Sequence, residues 1–132
     1  MSKSKWNVVS PDTICNDYGA DTLRLYEMFL GPLEQHKPWN TNGITGVHGF
    51  LKRFWRLFFD ESGNVRVSKD APTEAELKVV NRTLKKVKDD IDRYAFNTCV
   101  SQFMIAVNEL TDLKCYKHEI LSSMVIALSP FA

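Results

Sequence analysis

The first five residues, Met1-Ser2-Lys3-Ser4-Lys5, put two ammonium groups and two hydroxyls on a stretch that reads as a mobile loop. That combination suits a polyphosphate, whose negative charge is spread over several oxygens. Alone the pentapeptide is a weak signal, because short lysine and serine runs are common at solvated termini. A second basic group is Lys52, Arg53 and Arg56, close enough in sequence to share one side of a helix. Cations clustered on a rigid helix can grip the phosphates of a nucleic-acid backbone, and the same cluster can equally be a solvated face. Other chemistry finds little support. His36, His48 and His118 share no metal-ligand spacing, and His48 reads as a structural residue at the edge of an apolar face. No nucleophile and base, and no Ser/His/Asp arrangement, can be picked out.

The lysine loop is followed by Tyr18-Gly19-Ala20-Asp21-Thr22-Leu23-Arg24. Together the two resemble the signature loop of class I aminoacyl-tRNA synthetases and the segment behind it. Leu25-Tyr26-Glu27-Met28-Phe29-Leu30-Gly31-Pro32-Leu33-Glu34 narrows the resemblance to the leucyl-tRNA synthetase family, since the isoleucyl and valyl families diverge after the arginine. The run Trp39, Asn42-Gly43-Ile44, Gly46-Val47, Phe50-Leu51, Arg53-Phe54-Trp55-Arg56-Leu57 is similar to the same family. The likeness continues through Phe96-Asn97-Thr98 to Leu128-Ser129-Pro130-Phe131-Ala132 and is densest in residues 1–60.

The resemblance implies an enzyme that activates leucine with ATP and Mg²⁺ and then esterifies it to tRNA(Leu). Lys3 aligns with the loop's second lysine, the catalytic cation that meets the ATP phosphates, with Ser2 and Ser4 beside it and Lys5 assisting. A mobile ammonium of this kind meets the charge that develops on departing pyrophosphate. Lys52, Arg53 and Arg56 become a tRNA-contacting strip. Two positions depart from the family. Trp6 stands where many members have glycine, which predicts that this position packs on something, and Gly49 stands where relatives often carry arginine. The family's nucleotide-binding fold, editing domain and terminal tRNA-binding domain have no counterpart here. The expectation is an excised fragment, inactive by itself and binding no ATP or Mg²⁺, whose partners are tRNA(Leu) and the remainder of the synthetase.

Composition agrees with an ordinary soluble protein. The 132 residues are enough for one sizeable core, and a net charge of +1 leaves nucleic-acid binding to local patches. Cys15, Cys99 and Cys115 are odd in number, form no CxxC pair and fit a reducing cytoplasm. No apolar run approaches a membrane span, and no membrane partner is expected.

The elements that must position these groups are helices. Pro11 opens a short helix that Gly19 ends, and a second runs from about Asp21 to Leu30 before Gly31-Pro32. After a connector, a third helix over about Thr41–Asp60 carries a broad apolar face that includes Trp55, Phe58 and Phe59. Trp39 reads as packing the connector against the bundle and Trp55 as core. Asn64–Ser68 is a candidate short strand. Thr73-Glu74-Ala75-Glu76 is a capping box for a fourth helix with Leu77, Val80, Leu84, Val87, Ile91 and Tyr94 along one stripe. Lys85, Lys86 and Lys88 are offset by Asp89, Asp90 and Asp92 as surface pairs. A fifth helix capped by Asn97 buries Val100, Phe103, Met104, Val107 and Leu110, and a sixth covers about Tyr116–Leu128. The expected fold is all-α: a helical bundle of the class I synthetase anticodon-binding type, preceded by a loop and short stem-contact helices. The division falls at residues 1–38 and 39–132. Two other classes stay open, an autonomous helical RNA-binding module and a helical protein-interaction scaffold.

Overall fold

The computed structural model describes residue 6 and residues 8–132, so Ser2, Lys3, Ser4 and Lys5 lie outside the described residues. Among the described residues the fold is all-α, built from α1 (Pro11–Tyr18), α2 (Ala20–Phe29), α3 (Ile44–Arg56), α4 (Glu74–Asp92), α5 (Phe96–Asp112) and α6 (His118–Leu128).

Gly19 serves two helices at once. Its N–H donates to Cys15 O at 2.9 Å and closes α1, while its carbonyl accepts from Leu23 N–H at 3.2 Å and opens α2. It does so at φ 91°, a backbone conformation that residues with a Cβ avoid. Past α2, the connector is pinned to the bundle by Trp39, whose ring packs edge-on against Tyr26 at 5.2 Å and whose Nε1 donates to Thr41 Oγ1 at 2.8 Å. The Tyr26 hydroxyl donates to Asn40 O. Gly43, just before α3, is there for space: a Cβ would stand 2.6 Å from Tyr26 Oη. A 3₁₀ turn at Thr41–Gly43 leads into α3.

α5 is the central helix, with Cys99, Val100, Phe103, Ala106, Val107 and Leu110 all buried. It packs on α4, α2 and α3, and α4 also packs on α6. The core joins Ile14, Leu25 and Tyr26 from the N-terminal helices with Ile44, Val47 and Phe50 of α3, and so is continuous across residue 38. The Thr73 capping box at α4 forms, with Thr73 Oγ1 accepting from Glu76 N–H and Glu76 Oε2 from Thr73 N–H. Buried polar groups inside the bundle are paired: Gln102 Nε2 donates to Thr83 Oγ1 at 3.1 Å, and Thr83 donates to Val79 O.

Several local expectations change. α3 stops at Arg56 because Asp60 organises a competing loop, its carboxylate accepting from Ser62 N–H, Asn64 N–H and Asn64 Nδ2. Phe59 then bridges to Val65 antiparallel, in place of a longer strand over Asn64–Ser68. Trp55 is not core; it is 62% exposed and stacks on Phe59 with ring centroids 4.4 Å apart. The buried face of α4 is turned towards Val79, Val80, Thr83, Val87 and Asp90, while Ile91 is exposed and Tyr94 falls beyond the helix at φ 57°. Ala95, not Asn97, occupies the N-cap of α5. α6 starts at His118, because the backbone on either side of Lys117 pairs with Ser68 instead. Trp6 does not pack: it is 96% exposed at φ 54°, so tryptophan here adopts the backbone conformation that glycine tolerates best.

Candidate nucleic-acid interface

α3 presents its basic residues because its opposite face is fully committed. Ile44, Val47 and Phe50 point into the core, which leaves Lys52, Arg53 and Arg56 exposed on the solvent side. None of the three takes part in an ion pair among the described residues. The lysines of α4 behave differently: Lys85 pairs with Asp89, and Lys86 with Asp90, both across one turn. The charge of Lys85 and Lys86 is therefore neutralised locally, whereas Lys88, like the three cations of α3, is in no ion pair among the described residues.

The three residues border two hollows. Lys52 and Arg56 line an open groove of about 420 Å³ with Tyr18, Gly19, Thr22, His48 and the exposed Trp55. Arg53 and Arg56 line a second, smaller cleft of about 260 Å³. Arg56 lines both. A Cβ on Gly49 would meet Arg53 Nη1 at 3.5 Å, an ordinary contact, so nothing in the space around it requires glycine there.

In the larger groove His48 is held by its neighbours. Tyr18 packs edge-on against its ring at 5.6 Å, and Thr22 Oγ1 lies 3.3 Å from Nδ1. The Thr22 hydroxyl already donates to Tyr18 O at 2.8 Å, so towards the imidazole its oxygen accepts, which assigns the proton to Nδ1. His48 thus orients the groove wall, in line with a structural role. No group of three metal-ligating side chains occurs among the described residues. Burial pushes the Cys99 thiol up to about 11 and raises that of Cys115, so neither offers a thiolate nucleophile.

The second cleft contains what the sequence did not disclose. Arg66 and Tyr116 complete it, with the Arg66 guanidinium carbon 3.7 Å over the centre of the Tyr116 ring. Arg66 sits in a loop and Tyr116 just ahead of α6, and no spacing pattern links them to each other or to α3.

No family model matches the chain. Over all 132 residues it is 67% identical to the leucine–tRNA ligase of Cytophaga hutchinsonii, 62% to that of Flavobacterium psychrophilum and 56% to that of Phocaeicola vulgatus. Its sequence relatives are leucine–tRNA ligases. The chain spans 14% of the length of each of these ligases. Its fold matches a chain in the solved ternary complex of Agrobacterium radiobacter LeuRS, tRNA and LeuAMS. That match has a TM-score of 0.81 and 25% identity, and covers all of this chain and 19% of the other. The resemblance read from the sequence is thus matched along this chain by similarity to a small segment of leucine–tRNA ligases in sequence and of one solved LeuRS chain in fold. Among the described residues no helix is long and apolar enough to cross a membrane.

Proposed function

We propose that this chain works as part of a leucine–tRNA ligase that activates leucine with ATP and Mg²⁺ and transfers it to tRNA(Leu), in the cytoplasm. The observation that carries this reading is identity of 67% along the entire chain to one such ligase. Two shares of the work fall to these residues. The loop Ser2, Lys3, Ser4 and Lys5 meets the ATP phosphates, with Lys3 as the catalytic cation and the magnesium arriving with the nucleotide. The exposed face of α3, with Lys52, Arg53 and Arg56, docks tRNA through its backbone phosphates, and Trp55 offers an aromatic face beside them. Residues 1–38 serve the first task and the stem contact; residues 39–132 form the anticodon-binding-type bundle.

The test is a chimera. The matching segment of the Cytophaga hutchinsonii ligase is replaced by this chain, and leucine-dependent ATP–pyrophosphate exchange and tRNA(Leu) charging are measured. Both should persist. The chain alone should support no exchange, because it spans only 14% of the length of such a ligase and alignment of leucine with ATP supplies much of the rate. A folded chimera that neither activates leucine nor charges tRNA would sink the reading, as would exchange by the chain alone.

A further inference from the structure

The smaller cleft gathers three guanidiniums from two elements: Arg53 and Arg56 from α3, and Arg66 from the loop that follows. Three like charges on one small cleft repel one another and are relieved by an anion. None of them is in an ion pair among the described residues. The acid nearest in effect is Asp60. Hydrogen bonds from Asn64 hold its carboxyl below the ordinary value, with a smaller contribution from Arg66, and its oxygens are occupied by Ser62 and Asn64. Arg66 itself is fixed at both ends. Its backbone N–H donates to Phe58 O at 2.9 Å, and its guanidinium carbon sits 3.7 Å over the centre of the Tyr116 ring. Tyr116 in turn is held where its carbonyl accepts from Ser68 N–H at 2.7 Å. A stacked guanidinium keeps its N–H edge free and pre-aimed, which is the geometry that bidentate phosphate recognition needs.

We propose that Arg53, Arg56 and Arg66, floored by Tyr116, form a pocket that holds one phosphodiester group of an RNA backbone. This rests on the reading that α3 docks tRNA. It adds a residue from outside the helix and assigns the arginines to one phosphate instead of a row of them. Lys52, which faces the other groove, acts separately.

The experiment measures binding of a tRNA(Leu) transcript to the 132-residue chain as a function of salt. Arg66→Gln should lower the slope of log affinity against log salt by about 1, and Arg56→Gln with Arg66→Gln should lower it by no more than that. Arg66→Lys should keep the slope and weaken binding, because it retains charge without the planar fork. Tyr116→Leu should weaken binding about threefold through loss of the stacking floor. Lys85→Gln serves as the unaffected control, and circular dichroism checks that each variant folds. In a parallel arm, inorganic phosphate should shift the side-chain Nε–H resonances of all three arginines together.

Tight, salt-dependent binding that ignores Arg66→Gln and Arg66→Lys would overturn the pocket while leaving tRNA docking intact. A slope loss of about 2 in the double variant would also overturn it, by showing separate phosphates. Phosphate shifts without any Arg66 effect on RNA would assign the cleft to a free anion and refute the RNA backbone. Absence of RNA binding by the folded wild-type chain would remove the docking reading itself, and the pocket's RNA assignment with it.

Discussion

The Thr98 hydroxyl donates to the Asp90 carboxylate at 2.6 Å and ties the first turn of α5 to the last turn of α4. Asp90 is 1% exposed and is also reached by Lys86 and Arg93. Burial alone would push its carboxyl up, but the hydrogen bonds from Lys86, Thr98 and Arg93 outweigh it and hold the group below the ordinary 3.8. A carboxylate with a depressed folded value stabilises the fold above the unfolded value of about 4, and that contribution fades as pH falls through it. Asp90→Asn should therefore cost about 1–3 kcal/mol near neutral pH, with the gap to wild type closing below pH ~4. Denaturant titrations across pH measure this, and a gap that widens on acidification would contradict it.

Gly43→Ala should destabilise the chain by about 1–3 kcal/mol, because the new methyl has to displace the buried Tyr26 ring. Combining it with Tyr26→Phe, which removes the atom in closest approach, should recover part of that loss. If thermal denaturation finds Gly43→Ala as stable as wild type, the ring has somewhere else to go.

Lys3→Ala in the chimeric ligase should slow leucine adenylation about a hundredfold while changing leucine binding much less, the signature of a contact made in the transition state. Single-turnover kinetics separate the two quantities. An unchanged rate would hand the phosphates to Lys5 or to another group.

Arg53→Glu together with Arg56→Glu should raise the tRNA Michaelis constant of the same chimera at least several-fold and flatten its salt dependence. Leucine-dependent exchange, which needs no tRNA, should fall far less. Steady-state charging at several ionic strengths reads both effects. Normal charging at every salt concentration would reduce α3's outer face to a solvated surface.

What the sequence disclosed about this fold was mostly local. The Thr73–Glu76 box closes within one turn, so its signal and its structure occupy the same residues. Gly19 likewise announces both a helix end and a helix start. The end of α3 was hidden because Phe58 and Phe59 continue its apolar pattern, while the residues that stop it, Asp60 to Asn64, act from downstream. Asn97 looked like a cap by residue type, yet Thr98 and Asp90 do the anchoring from either side of it. Trp55 reads as core by its hydrophobicity, yet it is 62% exposed and stacks on Phe59. Lys52, Arg53 and Arg56 could be found by charge and spacing. Arg66 could not, because what makes it part of a cleft is a ring in another segment of the chain.

Tyr26 packs against Trp39 while its own helix shares the core with α3 and α5. The segment that follows the lysine loop and the helix that carries the free arginines are thus parts of one solid body, with no slack layer between them. If α3 docks a nucleic acid as proposed, load on that helix is shared with α1 and α2 through the common core of Ile14, Leu25, Tyr26, Ile44 and Val47. Cavity-forming changes at Leu25 or Tyr26 should loosen that shared packing without altering the outer face of α3.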